Sequence, residues 1–305
     1  MSWKPIVVGV DASEAAAGAA ALGHRMAVNA ATRCQLVHAA SEAWTALAAA
    51  QLPDHVEKLK QGLAEQARHQ IGSMLQSSVP ADLLQGLVLR FGRAPVVLQD
   101  VARELDAELV VLGGKRHSLP GRWFGGSTCH NAIRTVRVPV LVSRGAPTGI
   151  RRILVAVDLS GVARPTLAAA ERYAALFGAE LRALNVLEPL PVIPGAPPVY
   201  DMAEYYALTE ELLRRDIWPL IQTQGVEKVT RHGMAVETIL REVTEWQADL
   251  LVVGSHGRGW AERMLLGSVT ELLLNHLPTS LVVVPVPAAP EALQSAEAGL
   301  AAGVA

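Results

Sequence analysis

The sequence predicts an α/β fold built from two tandem domains, each a parallel sheet with helices on both faces. Three observations support this prediction. Motifs of the first half of the chain return in the second half in the same order. Within each repeat, short apolar runs alternate with helical stretches, which is typical of βαβ units. The short runs are apolar at consecutive positions, as expected for parallel strands that are buried on both faces.

The repeat is visible in three pairs of segments. One pair surrounds an Asp that follows the first strand of each half. The other two align without gaps at a constant shift of 141 residues, as from Leu89 to Thr230. The pairs are PIVVGVDASEAA (5–16) with RILVAVDLSGVA (152–163), residues 89–114 with residues 230–255, and VPVLVS (138–143) with TSLVVV (279–284).

The repeat sets the domain boundaries. We assign residues 1–143 to a first domain and residues 151–287 to a second, and a length of 305 residues agrees with two domains. RGAPTG (144–149) is a short linker that contains Gly and Pro. Residues 288–305 are mostly Ala, Gly, Pro and Glu, and we expect a flexible tail there.

The elements of the first half follow one another in order. IVVGV is predicted as the first strand, and the next helix, SEAAAGAAALGHRMAVNA, carries Ala and Leu on its buried stripe. CQLVHAA is the second strand, a long helix covers roughly residues 51–77, and LVLRF is the third strand. The remaining elements are the helix APVVLQDVARELD, the strand ELVVLGG, the helix GSTCHNAIRTV and the strand PVLVS. Each half therefore has five predicted strands.

Composition excludes several classes of protein. The formal charge is −2 with no basic excess, so nucleic acid is not an expected partner. We find no uncharged apolar segment long enough for a membrane span, and the start MSWKPIVVGV reads as a strand and not as a signal peptide. Cys34 and Cys129 have no metal-binding spacing, which favours a cytoplasmic chain with reduced thiols.

The segment GSHGRGWAERMLLGSV (254–269) suggests an anion site made by backbone amides. It follows the strand-like run ADLLVV and carries Gly254, Gly257 and Gly267 before Ser268. We expect Gly254 to leave room for a ligand, and Gly257 to permit a positive φ that turns successive amides inward. Gly267 and Ser268 open a helix whose free N–H groups and dipole favour negative charge. The alternative is that the glycines only form turns and Ser268 is only an N-cap.

The pattern G-x2-G-x9-G-[ST] after the strand, with VDxS on the first strand, closely resembles the ATP-binding form of the universal stress protein family. The resemblance covers nearly the whole chain, once per half. It implies two tandem adenine-nucleotide α-hydrolase-like domains of five parallel strands each. It also implies ATP as the cofactor, with or without bound Mg²⁺. It also implies that the first-strand Asp lies near the adenosine and that the residue ending the second strand lies against adenine. By position these are Asp158 and Val186 in the second half, and Asp11 and Ala39 in the first.

These arguments give a set of predicted nucleotide-binding residues in each half. Arg258 is included because a phosphate would lie nearby, and Val269 and Thr270 because they share the first helical turn with Ser268. The predicted residues are Asp158, Val186, Gly254, Gly257, Arg258, Gly267, Ser268, Val269 and Thr270 in the second half, and Asp11, Ala39, Gly113, Arg116, Gly126, Ser127 and Thr128 in the first.

The glycine loop of the first half departs from the pattern. Arg116 stands where the second half has Gly257, and a positive φ costs a non-glycine residue roughly 1 kcal/mol or more. Either this site is degenerate, or it is reshaped, with Gly114 making the turn and the Arg116 guanidinium contacting a phosphate. Cys129 in place of Thr270 removes another donor. We expect weaker binding in the first half.

Other polar residues near the strand ends have structural alternatives. Ser13 and Ser160 are predicted to cap the helices that follow them, which leaves Asp11 and Asp158 for a ribose or an adenine amine. His38 ends the second strand of the first half, but the second half has Asn there. We therefore expect His38 to be packed or solvated and not to act as a required base.

The sequence favours a binding protein over an enzyme. The HxGH, SGGxDS and GxxxxGK[ST] signatures of related nucleotide folds are missing, and no pair of base and nucleophile recurs in both halves. We expect no catalytic and no metal-ligating residues, although slow ATP hydrolysis stays open. The leading hypothesis is an ATP-binding, nucleotide-dependent regulator in stress response. The alternatives are a weak ATPase and a scaffold with vestigial sites.

The last strands of the two halves, VPVLVS and TSLVVVPV, would be exposed apolar edges if they stayed unpaired. The resemblance implies that they meet across the two halves and form a pseudo-dimer within one chain. Further association into a homodimer and contact with an unidentified protein partner are open alternatives.

Overall fold

Strands and helices alternate along both halves of the chain, as predicted. The computed structural model describes residues 2–42, 55–114, 128–145, 149–189, 201–256 and 266–286. The predicted tail at 288–305 lies outside these described residues. No helix within the described ranges has both the length and the apolar content to cross a membrane.

The first half contains the five predicted strands, together with a short helix before the third strand that the sequence did not predict. Ser13 begins the first helix as its N-cap, because its Oγ accepts from the N–H of Ala16 at 3.3 Å. The elements are β1 (Ile6–Gly9), α1 (Glu14–Asn29), β2 (Cys34–Ala40), α2 (Val56–Leu75), α3 (Ala81–Gln85), β3 (Val88–Phe91), α4 (Ala94–Glu104), β4 (Leu109–Gly113), α5 (Thr128–Thr135) and β5 (Val140–Ser143).

The second half repeats this order with one difference, a π-helical turn (Leu213–Ile217) and a 3₁₀ turn (Trp218–Leu220) that extend its second helix. The elements are β6 (Arg152–Ala156), α6 (Ala163–Phe177), β7 (Glu180–Leu187), α7 (Met202–Leu212), β8 (Glu227–His232), α8 (Ala235–Glu245), β9 (Leu250–Gly254), α9 (Ser268–His276) and β10 (Ser280–Val284).

The ten strands form one continuous sheet in the order β3-β2-β1-β4-β5-β10-β9-β6-β7-β8. Strands of the same half pair in parallel. At the centre β5 and β10 pair antiparallel, with Leu141 opposite Val282. The predicted meeting of the two last strands is confirmed. Two five-stranded sheets become one because each last strand covers the open edge of the other.

Apolar side chains are buried on both faces of the sheet. One cluster packs against α1, α2 and α6, and the other against α4, α5, α8 and α9. Each cluster contains residues of both halves, so the two halves share their cores.

Aromatic and charged side chains add to the junction between the halves. The Arg172 guanidinium of α6 lies 4.4 Å from the centre of the Trp3 ring and donates to Glu108 at 3.0 Å. Tyr173, the next residue, packs its ring 5.8 Å from that of Trp3. Burial raises the pKa of the Tyr173 hydroxyl above its usual range. The N-terminal residues of the first half are thereby fixed to a helix of the second.

Candidate functional site

A cavity of about 330 Å³ lies at the carboxyl ends of β6, β7 and β9. The strand β6 lies between β9 and β7, and such a switch in strand order is where parallel sheets bind ligands. Gly257 and Arg258 lie outside the described residues. The other seven predicted residues of this half all line the cavity: Asp158, Val186, Gly254, Gly267, Ser268, Val269 and Thr270.

The N-terminus of α9 provides backbone donors to this cavity. Gly267 is its N-cap, and its own N–H donates to Ser255 O at 2.9 Å. The next three amides, of Ser268, Val269 and Thr270, belong to the first helical turn and have no acceptor inside the helix. These three N–H groups and the positive end of the helix dipole favour a bound anion.

The hydroxyl of Thr270 has a structural role. It donates to Gly254 O at 2.8 Å and ties the start of α9 to the end of β9. Cys129 makes the matching contact in the first half, with its Sγ 3.5 Å from Gly113 O. The expectation that Cys129 removes a ligand donor is therefore wrong, because the replaced hydroxyl already donates to the strand. Thr270 contributes its backbone N–H to the cavity.

Gly254 is required by the packing of a helix against the strand. A Cβ at Gly254 would lie 2.9 Å from Cγ1 of Val162 and 3.3 Å from Oγ1 of Thr166. A Cβ at Gly113 would lie 2.5 Å from the backbone of Ala15. Close packing therefore also requires a glycine here, and Gly254, Val162 and Thr166 all line the cavity.

The turn after β6 differs from its counterpart after β1. The N–H of Ser160 donates to Asp158 Oδ1 at 3.0 Å, so the carboxylate holds the turn that leads into α6. The predicted N-cap role of Ser160 is wrong. Gly161 and Val162 form a turn before α6 begins at Ala163, so Ser160 lies too far from the first helical turn.

His38 and Asn185 occupy the same place in the two halves and make the same contact. Asn185 Nδ2 donates to Val157 O at 2.8 Å, and His38 Nδ1 lies 2.8 Å from Val10 O. A carbonyl can only accept, so Nδ1 carries the proton in His38. The expected structural role of His38 is confirmed.

Buried polar atoms without hydrogen-bond partners collect around the second-half cavity. Within the described part of the chain, four side-chain atoms are of this kind: Ser143 Oγ, Ser160 Oγ, Asn185 Oδ1 and His256 Nε2. The last three belong to residues that line the cavity. Buried polar groups in proteins are usually paired, so an unpaired set at one cavity is a mark of a binding site. These unpaired atoms were not predicted, because hydrogen-bond pairing depends on neighbours that come together only in the folded chain.

The wall of the cavity beside β7 comes from residues that the sequence analysis did not select. Tyr205 and Thr209 of α7, and Ala235 and Ile239 of α8, line this side. Glu188 follows β7 and accepts from the N–H of Ala235 at 2.8 Å, which fixes the start of α8.

The first half has a cavity of about 440 Å³ at the equivalent strand ends. Leu274 of α9 and its C-cap Leu277 also line it, so this helix borders both cavities. The predicted residues Arg116, Gly126 and Ser127 lie outside the described residues. Asp11, Ala39, Gly113 and Thr128 line the cavity.

The proposed turn at Gly114 is not found. Its φ lies outside the left-handed region. An added Cβ would meet Leu277 and would lie 2.9 Å from Val142. Gly114 is therefore small because the second half packs against it, and not because a turn needs it.

Within the described ranges, no three His, Cys, Asp or Glu side chains come close enough together to hold a metal ion.

Comparison with known proteins gives consistent matches in both halves of the chain. The sequence model of the universal stress protein family matches residues 2–144 and 149–285. A universal stress protein of Mycobacterium tuberculosis is 30% identical over 294 residues, covering 91% of this chain and 95% of the relative. One of Mycolicibacterium smegmatis is 30% identical over 236 residues, covering 72% and 77%. A solved universal stress protein from Archaeoglobus fulgidus covers 92% of this chain and 98% of its own, with a TM-score of 0.60 and 18% identity, which supports the fold.

Proposed function

The chain belongs to the universal stress protein family, and from that premise we propose that its second half binds ATP and that nucleotide occupancy regulates its contacts with a partner in stress response. One observation carries this proposal. Three residues with unpaired buried polar atoms and the three residues of the first turn of α9 line one cavity, at the switch point of the sheet. A volume of about 330 Å³ falls within the range of small-molecule sites.

Each part of the cavity has a separate task in this proposal. The amides of Ser268, Val269 and Thr270 hold the phosphates, and the hydroxyl of Ser268 adds a donor. Asp158 contacts the ribose, and Val186 lies against the base, as the family resemblance implies. Mg²⁺ enters with the phosphates, since this ion usually binds to substrate phosphates and one or two carboxylates.

We propose a binding protein and not an enzyme. Beside the second-half cavity, His256 and Ser255 form a pair of base and hydroxyl, with Nδ1 2.9 Å from Oγ. Ser255 is 3% exposed and is not among the described residues that line the cavity, so its hydroxyl does not face a ligand. A cytoplasmic location is also part of the proposal, and both cysteines are free thiols.

Nucleotide release and direct binding test the proposal. The full chain is purified without added nucleotide and denatured, and the released small molecules are identified by chromatography and mass spectrometry. ATP binding is then measured by calorimetry on the wild type and on Val269→Pro. Proline is tolerated in a first helical turn but has no N–H, so a phosphate loses one donor.

We expect Val269→Pro to weaken ATP binding by about tenfold or more, since hydrogen bonds to charged groups contribute about 1.5–3 kcal/mol. The control is Val269→Ala, which removes the side chain and keeps the amide. Equal ATP affinity in both variants and the wild type, or no binding at millimolar ATP, would refute the proposed site.

A further inference from the structure

The second-half cavity has an aromatic residue in its wall beside β7. Tyr205 and Thr209 lie one turn apart on α7, with Thr209 Oγ1 donating to Tyr205 O at 2.8 Å, and both line the cavity. The end of β7 also lines the cavity, through Val186 and Leu187. The lining therefore includes a tyrosine together with the residue that the family resemblance places against adenine.

Several contacts fix Tyr205 in place. Asp201 caps α7, with Oδ1 accepting from the N–H of Ala203 at 3.0 Å. The Tyr205 ring lies 5.5 Å from the Tyr206 ring, which packs edge-on against His232 at 4.4 Å. Tyr206 thus connects the start of α7 to the end of β8, and its ring lies beside that of Tyr205.

The first half lacks this wall within the part of the chain that is described. No described residue of α2 or α3 lines the cavity of about 440 Å³ there. The strand ends that line the cavities are alike in the two halves. Asp11 and Ala39 line the first cavity, as Asp158 and Val186 line the second. Among the described residues, an aromatic residue of the second helix thus lines only the second cavity.

From this placement we propose that the ring of Tyr205 stacks on the base of the bound nucleotide and sets how much the base contributes to affinity. The inference rests on the proposed function of the same cavity. Aromatic rings stack on nucleobases through their π faces, and loss of one such ring weakens binding of each stacked base. The phosphates lie at the other side of the cavity, at the start of α9, so they do not depend on this ring.

Two ligands distinguish the contribution of the base to binding from that of the phosphates. Calorimetry on the full chain compares ATP with inorganic tripolyphosphate, for the wild type, Tyr205→Ala and Tyr205→Phe. We expect Tyr205→Ala to weaken ATP binding by about tenfold to a hundredfold. Tripolyphosphate binding should stay within about twofold of the wild type. Tyr205→Phe keeps the ring and should retain ATP affinity.

The outcomes discriminate between the two proposals. If the wild type binds ATP and Tyr205→Ala binds it equally well, the inference is overturned while the proposed function stands. An equal loss for ATP and tripolyphosphate means that the residue acts on the shape of the whole site, and this also overturns stacking. A wild type that binds no ATP overturns both. Should Tyr205→Ala fail to fold, Tyr205→Leu keeps apolar bulk without a π face and carries the same expectation.

Discussion

Glu242 on α8 connects two strands of the second half through charged hydrogen bonds. The side chain is buried, with the residue 3% exposed. Oε1 accepts from Arg182 Nη1 at 2.6 Å, and Oε2 accepts from Arg231 Nε at 3.1 Å. Arg182 also donates to Glu227 at 2.8 Å, and its guanidinium lies 4.5 Å from the centre of the Trp246 ring. The outer strands β7 and β8 are thereby fixed to α8.

The first half has uncharged residues in place of the buried pair Glu242 and Arg182. Val101 stands at the position of Glu242, and Gln35 at that of Arg182. Gln35 Nε2 donates to the backbone oxygen of Gly86 at 2.6 Å, and Val101 is buried in the apolar cluster. The outer strand β3 is still fixed to α4 by an exposed ion pair, Arg90 with Glu104. The chain therefore contains its own uncharged counterpart of the buried pair.

We predict that Glu242→Val destabilises the protein by about 3 kcal/mol. Removing one partner of a buried ion pair leaves the other charge uncompensated, which costs about 3–5 kcal/mol. The low end applies because Arg182 keeps its bond to Glu227. The double variant Glu242→Val/Arg182→Gln reproduces the first-half pair and should recover most of the loss.

Urea unfolding followed by far-ultraviolet circular dichroism measures the free energy of unfolding of both variants. An unchanged m value, the slope of this free energy against urea concentration, shows that the variants unfold between the same folded and unfolded states as the wild type. A loss below about 1 kcal/mol for the single variant would refute the reasoning, since it would place the pair among exposed ion pairs. A double variant less stable than the single one would contradict the compensation.

Three further predictions concern single sites. Gly113→Ala should cost more stability than Gly254→Ala in urea unfolding, because the first added Cβ meets helix backbone at 2.5 Å and the second meets a side chain at 2.9 Å; equal losses would contradict this. Ser13→Ala should cost about 1 kcal/mol through loss of an N-cap. Ser160→Ala should leave the free energy of unfolding unchanged without ligand, because its buried Oγ has no partner among the described residues. A larger loss of stability for Ser160→Ala than for Ser13→Ala would contradict the structures of the two turns. Burial raises the pKa of the Cys34 thiol to about 12, so the reactive thiolate is scarce below that pH, and iodoacetamide at about pH 9 should label Cys34 in urea but not in the folded protein. Labelling at equal rates, detected by peptide mass spectrometry, would count against this burial.

The sequence was most informative where a pattern has one physical solution. Consecutive apolar residues alternating with helical stretches predicted the five strands of the first half, and the repeat extended this order to the second half, with Gly254 and Ser268 at the ends of a strand and a helix. The carboxyl ends of parallel strands meet at one edge, so Asp158 and Val186 come together at the cavity as predicted.

The predictions that the structure changed concern residue types that have several structural roles. Glycine serves both ligand approach and close packing, and only the position of Val162 shows that Gly254 serves packing as well. Serine after a strand predicts an N-cap, but Gly161 delays the helix and leaves Ser160 unpaired. Tyr205 was not selected, because nothing local to a helix shows which of its faces borders a cavity.

The amino-acid order alone determined the two-fold repeat, the α/β class and the strand ends that build the candidate site, because these follow from hydrophobic periodicity and short-range geometry. The tertiary structure decided the pairings between distant residues. It placed β5 against β10, brought Leu277 of one half into the cavity of the other, and left Asn185 Oδ1 buried without a partner. Such pairings depend on the three-dimensional packing of separate elements, which no local pattern encodes.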